Sequence, residues 1–148
     1  IGRVASHLRS HPDDPIVTLA ADALPGDLDS PSVVKVVLDR EGYALYFSRA
    51  PIPFPRLPGG ASPLRHLGIY GYQKTALLEL AALPQTPLEK SESLEQLRAL
   101  ENRLSIKVLT GAKPSWGVDT PEDAAEVDAR IRQEMAEAAD ATERGAQR

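Results

Sequence analysis

Val33-Val34-Lys35-Val36-Val37-Leu38-Asp39-Arg40-Glu41-Gly42-Tyr43-Ala44-Leu45-Tyr46-Phe47 decides the fold class. Two runs rich in β-branched and aromatic residues flank a polar four-residue connection ending in glycine, which predicts an antiparallel hairpin. Working outward, Ile16-Val17-Thr18-Leu19-Ala20 reads as a buried strand, and Leu67-Gly68-Ile69-Tyr70-Gly71-Tyr72 as a second, with Tyr70 and Tyr72 on one face by parity. Helical spacing appears in Ile1, Val4, Ala5 and Leu8, and again over Lys74 to Ala82, whose apolar positions are Leu77, Leu78 and Ala81; Pro84 ends that helix. A further helix is expected from about Ser93 to Asn102, with Leu94, Leu97 and Leu100 or Leu104 on one face. A short strand, Ile106-Lys107-Val108-Leu109, follows it.

Five prolines and Gly59-Gly60 make the segment from Pro51 to Pro63 a surface loop. The last helix is expected to start at Thr120 as N-cap, with Pro121 at its first position. Helices alternating with strands, plus a hairpin, predict an α/β mixed sheet in a single domain over 1–138, with 139–148 a polar tail.

Composition narrows the function. The 148 residues are 42% apolar, carry a formal net charge of −4 and contain no cysteine. Lys and Arg are scattered, so neither a nucleic-acid groove nor a polybasic membrane surface is expected, and no apolar run reaches the about 20 residues that span a bilayer. Without cysteine there is no disulfide or thiolate nucleophile, which fits a cytoplasmic location. No P-loop, nucleophile elbow or HExxH motif is present. The chain opens on Ile1 inside a helical pattern, so an upstream part is expected.

Several residues could carry chemistry, each with a plainer reading beside it. Asp119 either caps a helix with Thr120 or binds a ligand at a sheet edge. Arg49, anchored between a strand and the rigid Ala50-Pro51-Ile52-Pro53, is a solvated charge or a bidentate grip on carboxylate or phosphate. Ser48 serves as a turn cap or a hydroxyl contact. His66 makes a local hydrogen bond or meets a sugar hydroxyl, and Tyr70 packs or binds. Glu89 and Glu92 read as structural. Glu95 and Gln96, pointing about 100° apart, could meet several hydroxyls of a polyol.

Taken in order, Val34 to Asp39, Gly42 to Pro53, His66-Leu67-Gly68-Ile69-Tyr70, Pro87-Leu88-Glu89, Glu92 to Arg98 and Gly117-Val118-Asp119-Thr120-Pro121-Glu122-Asp123 resemble the 3-deoxy-manno-octulosonate (Kdo) cytidylyltransferases. The resemblance implies a nucleotidyltransferase α/β fold, here incomplete at its amino terminus. It implies cytidylyl transfer from CTP to Kdo with release of pyrophosphate, Mg²⁺ dependence, a homodimer, and a place in lipopolysaccharide biosynthesis. It makes Asp119 one of two magnesium-binding aspartates. It also implies that Arg49, His66, Tyr70, Glu95 and Gln96 line the sugar pocket and that residues 1–138 are the carboxy-terminal, sugar-binding and dimerising part.

The family's glycine- and arginine-containing triphosphate loop and its Gly-Asp-Glu-Pro segment are not in the sequence, so the isolated chain is expected to be inactive. Gln73 stands where the family often has a basic residue, Ala20-Ala21-Asp22 where a more apolar stretch is usual, and the loop from Leu57 to Pro63 is extended. The alternatives are a cytidylyltransferase for another acidic sugar and a non-catalytic dimerising module.

Overall fold

The computed structural model describes residues 1–57, 59–112, 125, 127–129, 131 and 132. The chain divides into two compact units, Ile1–Pro114 and Ser115–Arg148. In the second, residues 125, 127–129, 131 and 132 are helical, and Arg132 Nη2 lies 2.8 Å from Asp128 Oδ2, one helical turn away.

The first unit runs α1 (Gly2–Ser10), β1 (Ile16–Asp22), β2 (Lys35–Leu38), β3 (Ala44–Ser48), β4 (Leu64–Tyr72), α2 (Lys74–Ala82), α3 (Pro87–Glu92), α4 (Gln96–Glu101) and β5 (Ile106–Leu109). Its five strands form one mixed sheet in the order β3-β2-β4-β1-β5, antiparallel throughout except for the parallel pair β1 and β5. The expected hairpin is β2–β3. Asp39 Oδ1 accepts the amides of Glu41 at 2.9 Å and Tyr43 at 2.8 Å, and Gly42 takes the positive φ of 85° that closes the turn.

β1 is buried on both faces, which explains its unbroken apolar run. Ile16 and Ala20 join a core with Val36, Phe47, Ala76, Leu80, Leu97 and Ile106, while Val17, Leu19 and Ala21 pack with Val4 of α1 and Leu67. Helix α1 seats closely because Gly71 has no side chain: a Cβ there would lie 2.5 Å from both Leu8 Cδ1 and Val4 Cγ1. Gln73 donates its side-chain amide to Leu8 O at 2.9 Å near the end of α1.

Two helical expectations are corrected. On α2 the core face is Ala76 and Leu80; Leu77 and Leu78 are exposed. Periodicity identified the helix, but the apolar residues run around it and the sheet selects the narrower stripe. The helix expected from about Ser93 to Asn102 is the shorter α4, Gln96–Glu101: Ser93 adopts the left-handed conformation (φ 53°, ψ 48°) that ends α3, and the chain is helical again only from Gln96. Leu94 and Leu97 are buried as expected, although Leu94 stands in the break.

Candidate functional site

The site begins at an irregularity between β1 and β4. Thr18 pairs with Tyr70 and Leu19 with Leu67, so Gly68 and Ile69 are two extra residues on β4. A bulge of this kind frees ladder carbonyls and bends its strand. The fully buried Thr18 hydroxyl lies 2.8 Å from Ile69 O, 3.3 Å from Leu67 O and 2.8 Å from His66 Nε2.

Beyond the bulge, side chains of β4 form an aromatic wall. The His66 and Tyr70 rings are 5.2 Å apart, Tyr70 stacks on Tyr72 at 5.9 Å, and Phe47 of β3 meets His66 edge-on at 5.0 Å. Burial lowers the His66 pKa to about 4, so the imidazole is neutral at physiological pH. Burial, followed by the neighbouring Tyr72 and the Glu95 charge, pushes the Tyr70 phenol far up; burial and Glu95 raise Tyr72 as well. The Tyr70 hydroxyl is itself buried and has no hydrogen-bond partner among the described residues. A buried hydroxyl left unmatched is costly, so it marks a place where a ligand's polar group would be stabilised.

Arg49 follows Phe47 and Ser48 at the end of β3, and the structure clamps it. Its Nε donates to Glu92 O and its Nη1 to Pro31 O, both at 2.9 Å, while its backbone amide donates to Glu92 Oε2 at 2.9 Å. Nη2 makes no hydrogen bond among the described residues. Glu92 Oε1 accepts Ser48 Oγ at 2.6 Å and the Tyr46 hydroxyl at 3.4 Å. Burial pushes the Glu92 carboxyl up, but these donors and the Arg49 charge outweigh it and hold the group below the ordinary glutamate range. Ser48 Oγ also accepts the Ala50 amide at 2.9 Å, the turn-capping role expected of it. Beneath this corner the fully buried Lys35 donates to Ser30 O (2.9 Å), Val33 O (2.7 Å) and Arg49 O (2.5 Å).

The break at Ser93 sets the other side. Glu92 reaches toward β3, and Glu95, just before α4, stands within electrostatic range of Tyr70 and Tyr72. Glu95 is largely exposed, its Oε1 3.6 Å from Arg98 Nη2. Glu89 is structural as expected, accepting Arg98 Nε at 2.9 Å and Nη2 at 2.5 Å.

The structure thus brings His66 and Tyr70 into contact and sets Glu95 in range of Tyr70. Arg49 is held by Glu92 and Pro31 instead, and no hydrogen bond or ion pair links it to His66, Tyr70 or Glu95 among the described residues. Gln96 opens α4 with no hydrogen bond to this group among the described residues. Asp119 lies outside the described residues. No group of three or more His, Cys, Asp or Glu side chains among the described residues could hold a metal ion. Thr18, Lys35 and the anchoring role of Glu92 were not anticipated; a lysine inside an apolar strand was the one available signal.

Comparison with known proteins agrees with this architecture. The family model described as "Cytidylyltransferase" matches residues 1–106. The 3-deoxy-manno-octulosonate cytidylyltransferase of Syntrophotalea carbinolica is 53% identical over 111 residues, covering 69% of this chain and 44% of that protein. The protein of the same description from Anaeromyxobacter sp. is 54% identical over 110 residues, covering 73% and 45%. The chain therefore spans less than half the length of these relatives. A solved structure of CMP:2-keto-3-deoxy-manno-octonic acid synthetase complexed with CTP superposes with a TM-score of 0.82 at 39% identity, covering 89% of this chain and 55% of that one. No helix among the described residues is long and apolar enough to cross a membrane. With a family model matched over most of its length and a mixed sheet that superposes on a solved synthetase, the chain belongs to the cytidylyltransferase family.

Proposed function

We propose that this chain is the sugar-recognising part of an enzyme that transfers a cytidylyl group from CTP to Kdo. The observation that carries the reading is the unmatched Tyr70 hydroxyl beside a neutral His66, in a chain about half identical to Kdo cytidylyltransferases. In the reaction the anomeric hydroxyl of the sugar attacks the α-phosphorus of CTP. A new P–O bond forms, the bond to the bridging oxygen breaks, pyrophosphate leaves and the hydroxyl proton is lost. No protein nucleophile is needed, so positioning and neutralisation of charge dominate.

In this reading Arg49 binds the Kdo carboxylate, clamped so that few rotamers are lost on binding. His66 and Tyr70 meet sugar hydroxyls, Glu95 and Gln96 meet others at the rim, and neutral sugars are disfavoured because they would leave Arg49 Nη2 without an anionic partner. Magnesium belongs to the reading through the resemblance, with Asp119 as one ligand; when bound it would neutralise phosphate charge. A homodimer acting in the cytoplasm to supply activated sugar for lipopolysaccharide completes it.

Calorimetric titration of the chain tests the sugar site. Kdo should bind saturably, and Arg49→Met should weaken it at least about tenfold, the scale of a lost charge-assisted hydrogen bond. Equal affinity for a neutral sugar would overturn the assignment. For an enzyme that contains this chain, pyrophosphate release should require both CTP and Kdo; release with a different acidic sugar instead would move the specificity to that sugar.

A further inference from the structure

We propose that Thr18 is a positioning residue that holds the His66 imidazole in its Nε2–H tautomer, leaving Nδ1 as a hydrogen-bond acceptor for a ligand hydroxyl. The Thr18 hydroxyl has a single hydrogen and three partners: Ile69 O at 2.8 Å, Leu67 O at 3.3 Å and His66 Nε2 at 2.8 Å. The two carbonyls can only accept. Ile69 is one of the two residues that the bulge leaves without a ladder partner on β1, and its carbonyl is the nearer of the two. The hydrogen therefore points to the carbonyls, the nearer Ile69 O first, because turning it to Nε2 would set the hydroxyl lone pairs against two oxygens that can only accept.

Thr18 Oγ1 must then accept from the ring, which puts the imidazole proton on Nε2. A ring this buried is neutral at physiological pH, so it carries one proton only, and Nδ1 is an acceptor by elimination. Nδ1 has no hydrogen-bond partner among the described residues. Thr18 thus dictates from inside the sheet what His66 can offer outside it. Donors such as hydroxyls are favoured at Nδ1, and carbonyl or carboxylate oxygens are disfavoured there.

The tautomer does not depend on the identity of the ligand, whereas the acceptor role toward a sugar rests on the function proposed above. Long-range ¹H–¹⁵N correlation spectra of the whole chain labelled at histidine nitrogen separate the two. At neutral pH without ligand, His66 should show a protonated, pyrrole-type Nε2 and a pyridine-type Nδ1. Thr18→Ser should keep that pattern and Thr18→Val should lose it.

A wild-type spectrum with the proton on Nδ1 would overturn the proposal, and it does so even if Thr18→Val fails to fold. On addition of Kdo, the Nδ1 resonance should move upfield as it accepts a hydroxyl. If Tyr70 resonances shift with Kdo while Nδ1 does not, the acceptor role is wrong. If no resonance responds to Kdo, the sugar reading fails and takes the acceptor role with it, while the Thr18-held tautomer stands on the ligand-free spectrum.

Discussion

His66 carries a consequence for acid stability that can be read from its environment. Burial takes its pKa from the ordinary 6.5 to about 4, so between those values the unfolded chain binds a proton that the folded chain refuses. Stability is complete above pH 6.5 and falls as pH drops toward 4, by at most about 3 kcal/mol. His66→Gln should flatten that part of the curve in urea titrations at successive pH values; an unchanged slope would mean the ring is not desolvated as described. Lys35 makes a second case. It caps three carbonyls, including that of Arg49, from a fully buried position. Lys35→Met should cost about 3 kcal/mol or more, measured by chemical denaturation, since the carbonyls lose their donors together. A near-neutral result would show that water replaces the ammonium. Arg49 stood out in the sequence as a charge following a strand, and His66 and Tyr70 as polar and aromatic residues of one strand, but Thr18 and the anchoring role of Glu92 did not, because they depend on neighbours 48 and 43 residues away.

Elements were legible where their cause is local. The β2–β3 hairpin follows from Asp39 and Gly42, which fold the turn on themselves, and α2 from its spacing and from Pro84 beyond its end. The helix from Ser93 was misread because the Leu94, Leu97 and Leu100 spacing runs straight across a break that only the backbone reveals. Ser93 sits at φ 53°, a conformation costing an L-residue about 1 kcal/mol, so Ser93→Gly should be stabilising by a few tenths to about 1 kcal/mol and Ser93→Val destabilising. Thermal melts in the reverse order would remove the left-handed turn, and with it the account of how Glu92 and Glu95 face different partners. Gly71→Ala tests the opposite face of the sheet. Its added carbon would press on Val4 and Leu8, so α1 should shift or loosen at a cost of about 1–3 kcal/mol, with faster amide exchange confined to α1. Unchanged exchange there would mean the helix accommodates the methyl without moving.

At the scale of the whole unit, the sheet's two edges are connected although its strand order sets them farthest apart. β3 and β5 are the outer strands, yet Tyr43, at the entry to β3, bridges to Lys107 of β5, and the Val108 amide donates to Gly42 O at 2.9 Å. The sheet therefore curls, which no single segment of sequence could disclose because the closing partners are some 65 residues apart and meet only after every strand is ordered. One residue ties the seam to the rest. The Tyr43 hydroxyl donates to Asp14 Oδ1 at 2.6 Å, Asp14 Oδ2 lies 2.5 Å from His7 Nε2 on α1, and Lys107 Nζ stands 4.5 Å over the Tyr43 ring. The hydrogen bond to Asp14 holds the Tyr43 phenol up at about 12, so it remains a donor across the physiological range. Burial raises the Asp14 carboxyl, but Tyr43 and His7 outweigh it and bring it below the ordinary range. Tyr43→Phe keeps the ring and the cation contact and removes only the hydroxyl. It should lower global stability by about 1.5–3 kcal/mol, the worth of a hydrogen bond to a charged group. It should also move the midpoint of acid unfolding upward, because a carboxylate that loses a donor protonates at higher pH and its contribution is lost sooner as pH falls. Exchange at the Val108 amide should quicken, while the His66 and Tyr70 resonances stay in place. Perturbation of the aromatic wall by this change would show that seam and site are coupled, and would replace the picture of a curled sheet whose bulge alone shapes the site.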